Sequence, residues 1–407
     1  MTKKHFKIGV LKETKNPPDK RVPIIPTQVI TVEETYPNTK ICVQPSEIRC
    51  YGNEEYQYLK TSMKDDLSDC DILIGVKEVD KTTFIAKKTY MFFAHVAKKQ
   101  PYNRAMLQEM MRKEITLIDY ELLTNQEGNR IIAFGYWAGV VGAYNALRAK
   151  GLRHDLFKLK PAHECHDLAE VYAGLHKIKI LPKKFLVTGE GRVAGGAMQT
   201  LSELKMKKVS ADDFLNETFN EAVVCQIGPA DYVTRKDGKP FDFDYFVKNP
   251  QEHISNFKRY SKVTDIFIPC HFWDNKSPVF LTKEDYRDLD FKISVIADVS
   301  CDVNGPIPST IRASSVADPF YGYNPVTEKE VKAFANPKYI TVMAVDNLPC
   351  ELPRDASKDF GEMFINKVLP HFHNNDELGV IERATIIKDG KLTPRYKYLE
   401  RYVKGEE

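Results

Sequence analysis

Apolar residues in the first third of the chain fall in short runs separated by amphipathic stretches. The runs over 6–12, 40–44, 72–76, 89–94 and 115–119 have the length and the β-branched or aromatic content of buried strands. The stretches over 27–35, 81–88 and 103–113 predict helices between them. The central third repeats the pattern, with strands predicted over 184–188, 208–211, 222–226, 266–269 and 294–299. Alternation of this kind puts helices on both faces of a parallel sheet. The expected fold class is α/β, with two Rossmann-like domains on parallel sheets and a cleft between them. An uncharged run over 131–147 predicts a buried helix at the join. Its small residues are spaced to admit a neighbouring backbone, and Gly151 stands where a C-cap would end it. Further on, helices are predicted over 327–334 and 357–371, then a frayed surface end over 397–407.

The most specific signal lies where the strand over 184–188 meets Gly189-Glu190-Gly191-Arg192-Val193-Ala194 and a helix-forming run follows. Strand, G-x-G-x-x-A, then helix is the arrangement a dinucleotide pyrophosphate needs. Gly189 would make the tight turn and Gly191 would let the backbone approach the phosphates. The helix start then offers unpaired N–H groups to the anion. Asp212 or Asp213, about 20 residues on, would bond the ribose 2′-hydroxyl and repel a 2′-phosphate. That favours NAD over NADP, although Lys207 and Lys208 could serve a phosphate. The expected division is 1–134 plus 335–407 for a substrate domain and 135–334 for an NAD-binding domain.

Composition narrows the class without adding a partner. A length of 407 residues calls for two domains, and 43% hydrophobic with 28% charged residues is the balance of a globular protein. A formal charge of +3 gives no reason to invoke nucleic acid or a membrane surface. The lysines near the N-terminus lead into a strand rather than a signal core, and the eight cysteines form no C-x-x-C pair. Both point to a reducing cytoplasm. The His163–His166 cluster lacks the H-E-x-x-H spacing, so no metal is expected.

Candidate chemistry gathers at the ends of predicted strands, where α/β sheets bind ligands. Lys77 ends one strand, where partial burial would lower its pKa and make it a usable base. His95 ends the next and needs only a small shift to act near neutral pH. Arg21 precedes a rigid apolar turn and could fork onto a carboxylate. Glu121 follows another strand, and Arg130 offers a second anion-binding point. Asp298 and Asp302 flank a polar turn near the expected cofactor crevice.

Taken together, these segments resemble the alanine dehydrogenase/transhydrogenase superfamily. The shared pieces are Leu11–Lys15 with Arg21, Val76-Lys77-Glu78, and His95. The stretches Arg130–Ala143, Ile296–Asp302 and Val345–Ser357 are more specific, and the last two look more like its saccharopine dehydrogenase (L-lysine-forming) and lysine–ketoglutarate reductase branch than like the alanine branch. The resemblance implies Lys77 as acid/base at a secondary amine and His95 as its partner in proton transfer. It implies Arg21, Glu121, Arg130 and Phe134 around an amino-acid and 2-oxo-acid substrate. NAD would lie against Gly189, Gly191, Arg192 and Ala194, with Asp212 or Asp213 and the Asp298–Asp302 turn. The implied activity is reversible oxidative cleavage of saccharopine to L-lysine and 2-oxoglutarate. Alternatives are alanine dehydrogenase, an NADPH-preferring reductase, or a catalytically silent NAD(H)-binding regulator. Oligomeric state stays open.

Overall fold

The apolar runs of the first third become strands in a computed structural model that describes residues 6–406. These are β1 (Phe6–Val10), β2 (Thr39–Val43), β3 (Ser62–Met63), β4 (Ile72–Lys77), β5 (Thr89–Phe93) and β6 (Thr116–Asp119). They pair in the order β6-β5-β4-β1-β2-β3, all parallel. The strand Thr385–Lys388, followed by Lys391–Leu392, extends the sheet antiparallel beyond β6. β4 is buried from Ile72 through Val76, and Lys77 is its first residue to reach partial exposure. A strand covered on both faces has to be continuously apolar, as this one is. The sheet belongs to one compact unit, formed by the chain up to Phe134 and from Pro353 onward. The returning helix Pro353–Lys367 is fastened by Ser357, whose hydroxyl accepts the Val22 N–H at 2.9 Å.

Gly135–Leu352 forms the second unit. Its strands are β7 (Lys184–Thr188), β8 (Lys207–Lys208), β9 (Val223–Ile227), β10 (Val233–Arg235), β11 (His253–Ser255), β12 (Ile266–Pro269), β13 (Val295–Ala297), β14 (Phe320–Asn324), β15 (Lys329–Val331) and β16 (Ile340–Met343). The main sheet runs β15-β14-β16-β13-β12-β7-β9-β8, with β14 and β15 antiparallel at one edge. β10 and β11 pair by themselves. Both units are thus α/β with mostly parallel sheets. Among the described residues, no helix is long and apolar enough to cross a membrane.

Several sequence expectations are corrected by tertiary pairing. The segment 327–334 holds no helix but strand β15 (Lys329–Val331) between turns, because hydrogen bonding to β14 outweighs its helix-forming residues. The helix expected over 81–88 is only the turn Lys81–Thr83, since the Asp80 carboxylate accepts from the Thr82 N–H and hydroxyl and closes the chain locally. The expected frayed end is folded over its described residues, and Glu407 lies outside them. Helix Glu400–Lys404 buries Tyr402, whose hydroxyl donates to the Gln100 carbonyl. β16 lies inside the second sheet, so the chain returns to the first unit at Pro353 rather than at 335.

The uncharged run is helix α1 (Gly135–Arg153), and it packs against α2 (Arg192–Ser202). Gly151 lies within α1 rather than capping it. The close approach read from the small residues is real. A Cβ on Gly139 would stand 1.8 Å from the Val193 carbonyl oxygen, and one on Gly196 would stand 2.0 Å from that of Tyr136. Each helix therefore contributes one glycine to a backbone-to-backbone contact. Gly139→Ala should destabilise the protein by about 1–3 kcal/mol, the scale of core overpacking. Gly195→Ala on the same helix pair, where a Cβ meets nothing within 4 Å, should be neutral or stabilise by about 0.5–1 kcal/mol. Urea unfolding of both variants checks this, and equal midpoints would remove the contact from the account.

Candidate functional site

At the C-terminal edge of the first sheet, four adjacent parallel strands each deliver polar residues to the following loop. β6 leads to Glu121, β5 to His95, β4 ends on Lys77, and β1 leads to Glu13, Asp19 and Arg21. Parallel strands place all their C-terminal ends on one edge, so residues far apart in sequence meet there. Lys77 lies opposite Phe93 in the β4–β5 register, two residues before His95.

The Lys77 amine makes no hydrogen bond or ion pair with any described residue. Burial, together with the positive charges of Arg21 and Lys15, pulls it below the ordinary lysine range. Its backbone is held from beneath: the Glu13 carboxylate accepts from Val76 N–H at 2.6 Å and Lys77 N–H at 3.0 Å. Burial pushes Glu13 up to about 8 despite those two bonds.

His95 stands in the left-handed region at φ 55°. Its N–H donates to Asp119 at 3.1 Å, and its Nδ1 lies 3.3 Å from Glu121 Oε2. The ring stacks on Phe93 at 6.2 Å. Lys98 and Arg130 each reach the other oxygen of Glu121 at 2.8 Å. The His95 bond and these two cations hold Glu121 well below the usual carboxylate range, against the pull of burial. Asp119 beneath them goes the other way, and burial raises it to about 6.

Arg21 is almost fully buried. Its Nε and Nη2 donate to the two oxygens of Asp19 at 3.0 and 2.6 Å. Burial would raise the Asp19 carboxyl, but the Arg21 charge and hydrogen bonds outweigh it and hold the group at about 2. The guanidinium lies 4.2 Å over the Phe134 ring, and Phe134 stacks on Phe360 at 4.5 Å. The structure therefore brings Arg21 and Phe134 together in one stack, and brings His95, Glu121 and Arg130 together in one ionic cluster. Sequence reading missed Glu13, Asp19 and Phe360. The rule that found Lys77, a polar residue just past a parallel strand, applies equally to Glu13 after β1.

In the second unit, β7 runs into the glycine loop and α2. Gly189 has φ +103°, and a Cβ there would lie 2.7 Å from the Cys270 carbonyl oxygen, so only glycine fits. Gly191 is the N-cap of α2, Arg192 its first residue, and Ala194 is buried beneath. The α2 N-terminus opens on a cavity of about 680 Å³ lined by Gly189, Gly191, Arg192, Tyr232, His271 and Ser300. Its size and the helix start on its wall suit a dinucleotide.

The acids expected there have other surroundings. Asp298 is fully buried and accepts from Ser300 Oγ, Cys301 N–H and Thr310 Oγ1, so it shapes the turn rather than facing the cavity. Asp302 is half-buried, and burial with the Asp298 charge raises it to about 6. Asp212 and Asp213 are exposed on the helix Ala211–Asn216 and do not line the cavity. The reason is strand order: β9, not β8, lies beside β7. An acid the sequence reading passed over, Glu190, does line the cavity, with its carboxylate against Gly228 at the end of β9. Among the described residues, no group of three or more His, Cys, Asp or Glu is gathered to hold a metal ion.

Residues 9–141 fit the family described as alanine dehydrogenase/PNT, N-terminal domain. The chain resembles the alanine dehydrogenase/transhydrogenase superfamily. It is 28% identical to the mitochondrial alpha-aminoadipic semialdehyde synthase of Rattus norvegicus, over 98% of this chain and 48% of that protein. It is 25% identical to the saccharopine dehydrogenase (NAD(+), L-lysine-forming) of Neurospora crassa, over 80% of this chain and 82% of that protein. The chain thus spans about half the length of the first relative. Among solved structures it is similar to an L-alanine dehydrogenase, with a TM-score of 0.66 and 14% identity over 98% of this chain and all of that one.

The buried Glu13 has a consequence for stability. In the folded protein it keeps its proton up to about pH 8, whereas an unfolded glutamate loses it near pH ~4.3. Between those values the folded state binds more protons, so stability falls as pH rises. Glu13→Gln should flatten the stability curve over that window by about 1.4 kcal/mol per pH unit relative to the unaltered protein. Urea unfolding at a series of pH values measures it, and parallel curves would contradict the assignment.

Proposed function

We propose that this chain is a nicotinamide-dependent oxidoreductase acting on a CH–NH bond, and that its substrate is saccharopine, cleaved to L-lysine and 2-oxoglutarate and formed again in reverse. The observation that carries the reading is the uncommitted, partly buried Lys77 amine beside the His95–Glu121 pair, on adjoining strand ends. The relatives named above, a saccharopine dehydrogenase and an alpha-aminoadipic semialdehyde synthase, support the choice of substrate.

In the oxidative direction Lys77 takes the proton of the substrate's secondary amine. Its lowered pKa leaves a larger neutral fraction to do so than a surface lysine has. The bound nicotinamide, when present, supplies the hydride acceptor. Water then adds to the imine carbon while His95, oriented by Glu121, takes its proton. Collapse of the carbinolamine breaks the C–N bond, and Lys77 returns a proton to the departing amine. Arg130 at the rim of the Glu121 cluster is the proposed contact for a substrate carboxylate. Arg21, already forked onto Asp19, supports Phe134 as a flat wall of the site.

The Gly189–Ala194 turn and α2 start are the proposed pyrophosphate seat. NAD is the proposed form, because the Glu190 carboxylate lines the same cavity and would repel a 2′-phosphate. Asp212 and Asp213, exposed and outside the cavity lining, have no part in this proposed seat.

Turnover of saccharopine with NAD, of lysine plus 2-oxoglutarate with NADH and NADPH, and of alanine with NAD separates this reading from its rivals by nicotinamide absorbance. Saccharopine turnover with NAD is the expected result. Activity on alanine alone would refute the substrate, and a strong preference for NADPH would refute the cofactor. Lys77→Met should lower turnover by roughly 10²–10⁴ with cofactor affinity unchanged; a near-normal rate removes Lys77 from the mechanism.

A further inference from the structure

One buried side chain on the cavity wall has no role in this account, and its geometry is that of a ligand contact. His271 follows β12, beside the Cys270 carbonyl that crowds Gly189. It is only 6% exposed, and it lines the cavity at the α2 start. Its ring is fixed on one face by Phe280, stacked at 4.1 Å, with Tyr232 tilted at 6.3 Å. Nδ1 lies 2.7 Å from Thr188 Oγ1, on the last residue of β7. Nε2 is buried with no hydrogen-bond partner. A buried polar atom left without a partner costs about 1–3 kcal/mol, so a rigid ring bearing one at a cavity wall points to a group that arrives with a ligand.

The tautomer follows from the Thr188 hydroxyl. That hydroxyl is fully buried, and its side-chain partner is the imidazole nitrogen. If Nδ1 carried the proton, both the hydroxyl hydrogen and the Nε2 lone pair would go unused, whereas with the threonine donating to Nδ1 only the Nε2–H lacks a partner. The threonine therefore donates to Nδ1, and the proton of the neutral ring sits on Nε2. Burial keeps the ring neutral, holding its pKa near 3.

We propose that His271 is a cofactor-binding residue, donating its Nε2–H to a phosphate or ribose oxygen of the bound dinucleotide in a tautomer set by Thr188. The proposal rests on the reading of the Gly189–Ala194 cavity as the dinucleotide site. It adds a neutral, pre-oriented donor on the β12 side of the cavity that the helix start also lines.

The test is NADH binding by fluorescence titration of the whole protein, together with thermal unfolding without ligand. His271→Phe keeps the stack on Phe280 and removes the donor. It should weaken NADH binding roughly tenfold while leaving the ligand-free melting temperature unchanged or higher, since it deletes an unsatisfied buried nitrogen. His271→Gln, which restores an N–H, should recover most of the lost affinity. Thr188→Val should weaken binding too, and nitrogen NMR of the free protein should find Nε2 protonated. Unchanged NADH affinity in His271→Phe, or a proton on Nδ1, overturns the proposal while the cavity reading stands. Failure of the unaltered protein to bind NADH or NADPH overturns the cavity reading itself, and this inference with it.

Discussion

An ammonium group at the end of a strand sealed from water on both faces holds its proton less tightly than one in solvent, because burial penalises the charged form. Lys77 is in that position: five buried residues precede it, and the pull of Asp19 and Glu78 is smaller than the cost of lost hydration. The positive charges of Arg21 and Lys15 push the same way. The neighbouring features can be understood as support for that arrangement. Glu13 ties down the backbone at Val76 and Lys77 without touching the amine. Asp19 engages Arg21, so the arginine's charge stays close but its fork stays away. One strand over, the electrostatics reverse. Glu121 remains ionised under three positive or polar neighbours and gives His95 a fixed orientation.

The second unit solves a different problem, the close approach of backbone to an anion. Gly139 and Gly196 let α1 and α2 touch backbone to backbone, which fixes where the N-terminus of α2 points. Gly189 lets the β7 turn pass under the end of β12. With helix, turn and strand end packed this tightly, the walls of the cavity have little freedom, and His271 is held between Phe280 and Thr188. Pre-oriented donors of this kind bind without an ordering cost.

Much of this was legible in the sequence, for a physical reason. Parallel strands are continuous apolar runs, and the polar residue that ends such a run marks the binding edge. That rule placed Lys77, His95 and Glu121 and located the Gly189–Ala194 turn. It failed where long-range pairing decides the outcome. Lys329–Val331 reads as helix but is drawn into β15, and Tyr402 in a charged tail is buried by a contact about 300 residues away in sequence. The partner of Arg21 was hidden because Asp19 sits in a proline-flanked turn with no periodicity. Asp212 and Asp213 stand at the expected spacing of about 20 residues after the glycine turn, a spacing that serves the ribose where the second strand lies beside the first. The observed neighbour is β9, and no spacing rule reports that exchange. Glu190 sits inside the glycine motif itself, at a position the motif leaves open, whereas His271 reaches the cavity only through the fold.

The most direct test of the central claim is the pKa of the Lys77 amine itself, followed by nitrogen NMR in the folded protein and assigned by its loss in Lys77→Arg. A midpoint clearly below that of the surface lysines is the result this account requires. A midpoint at or above theirs would mean that the amine is hydrated or paired, and the proposed proton acceptor would have no basis.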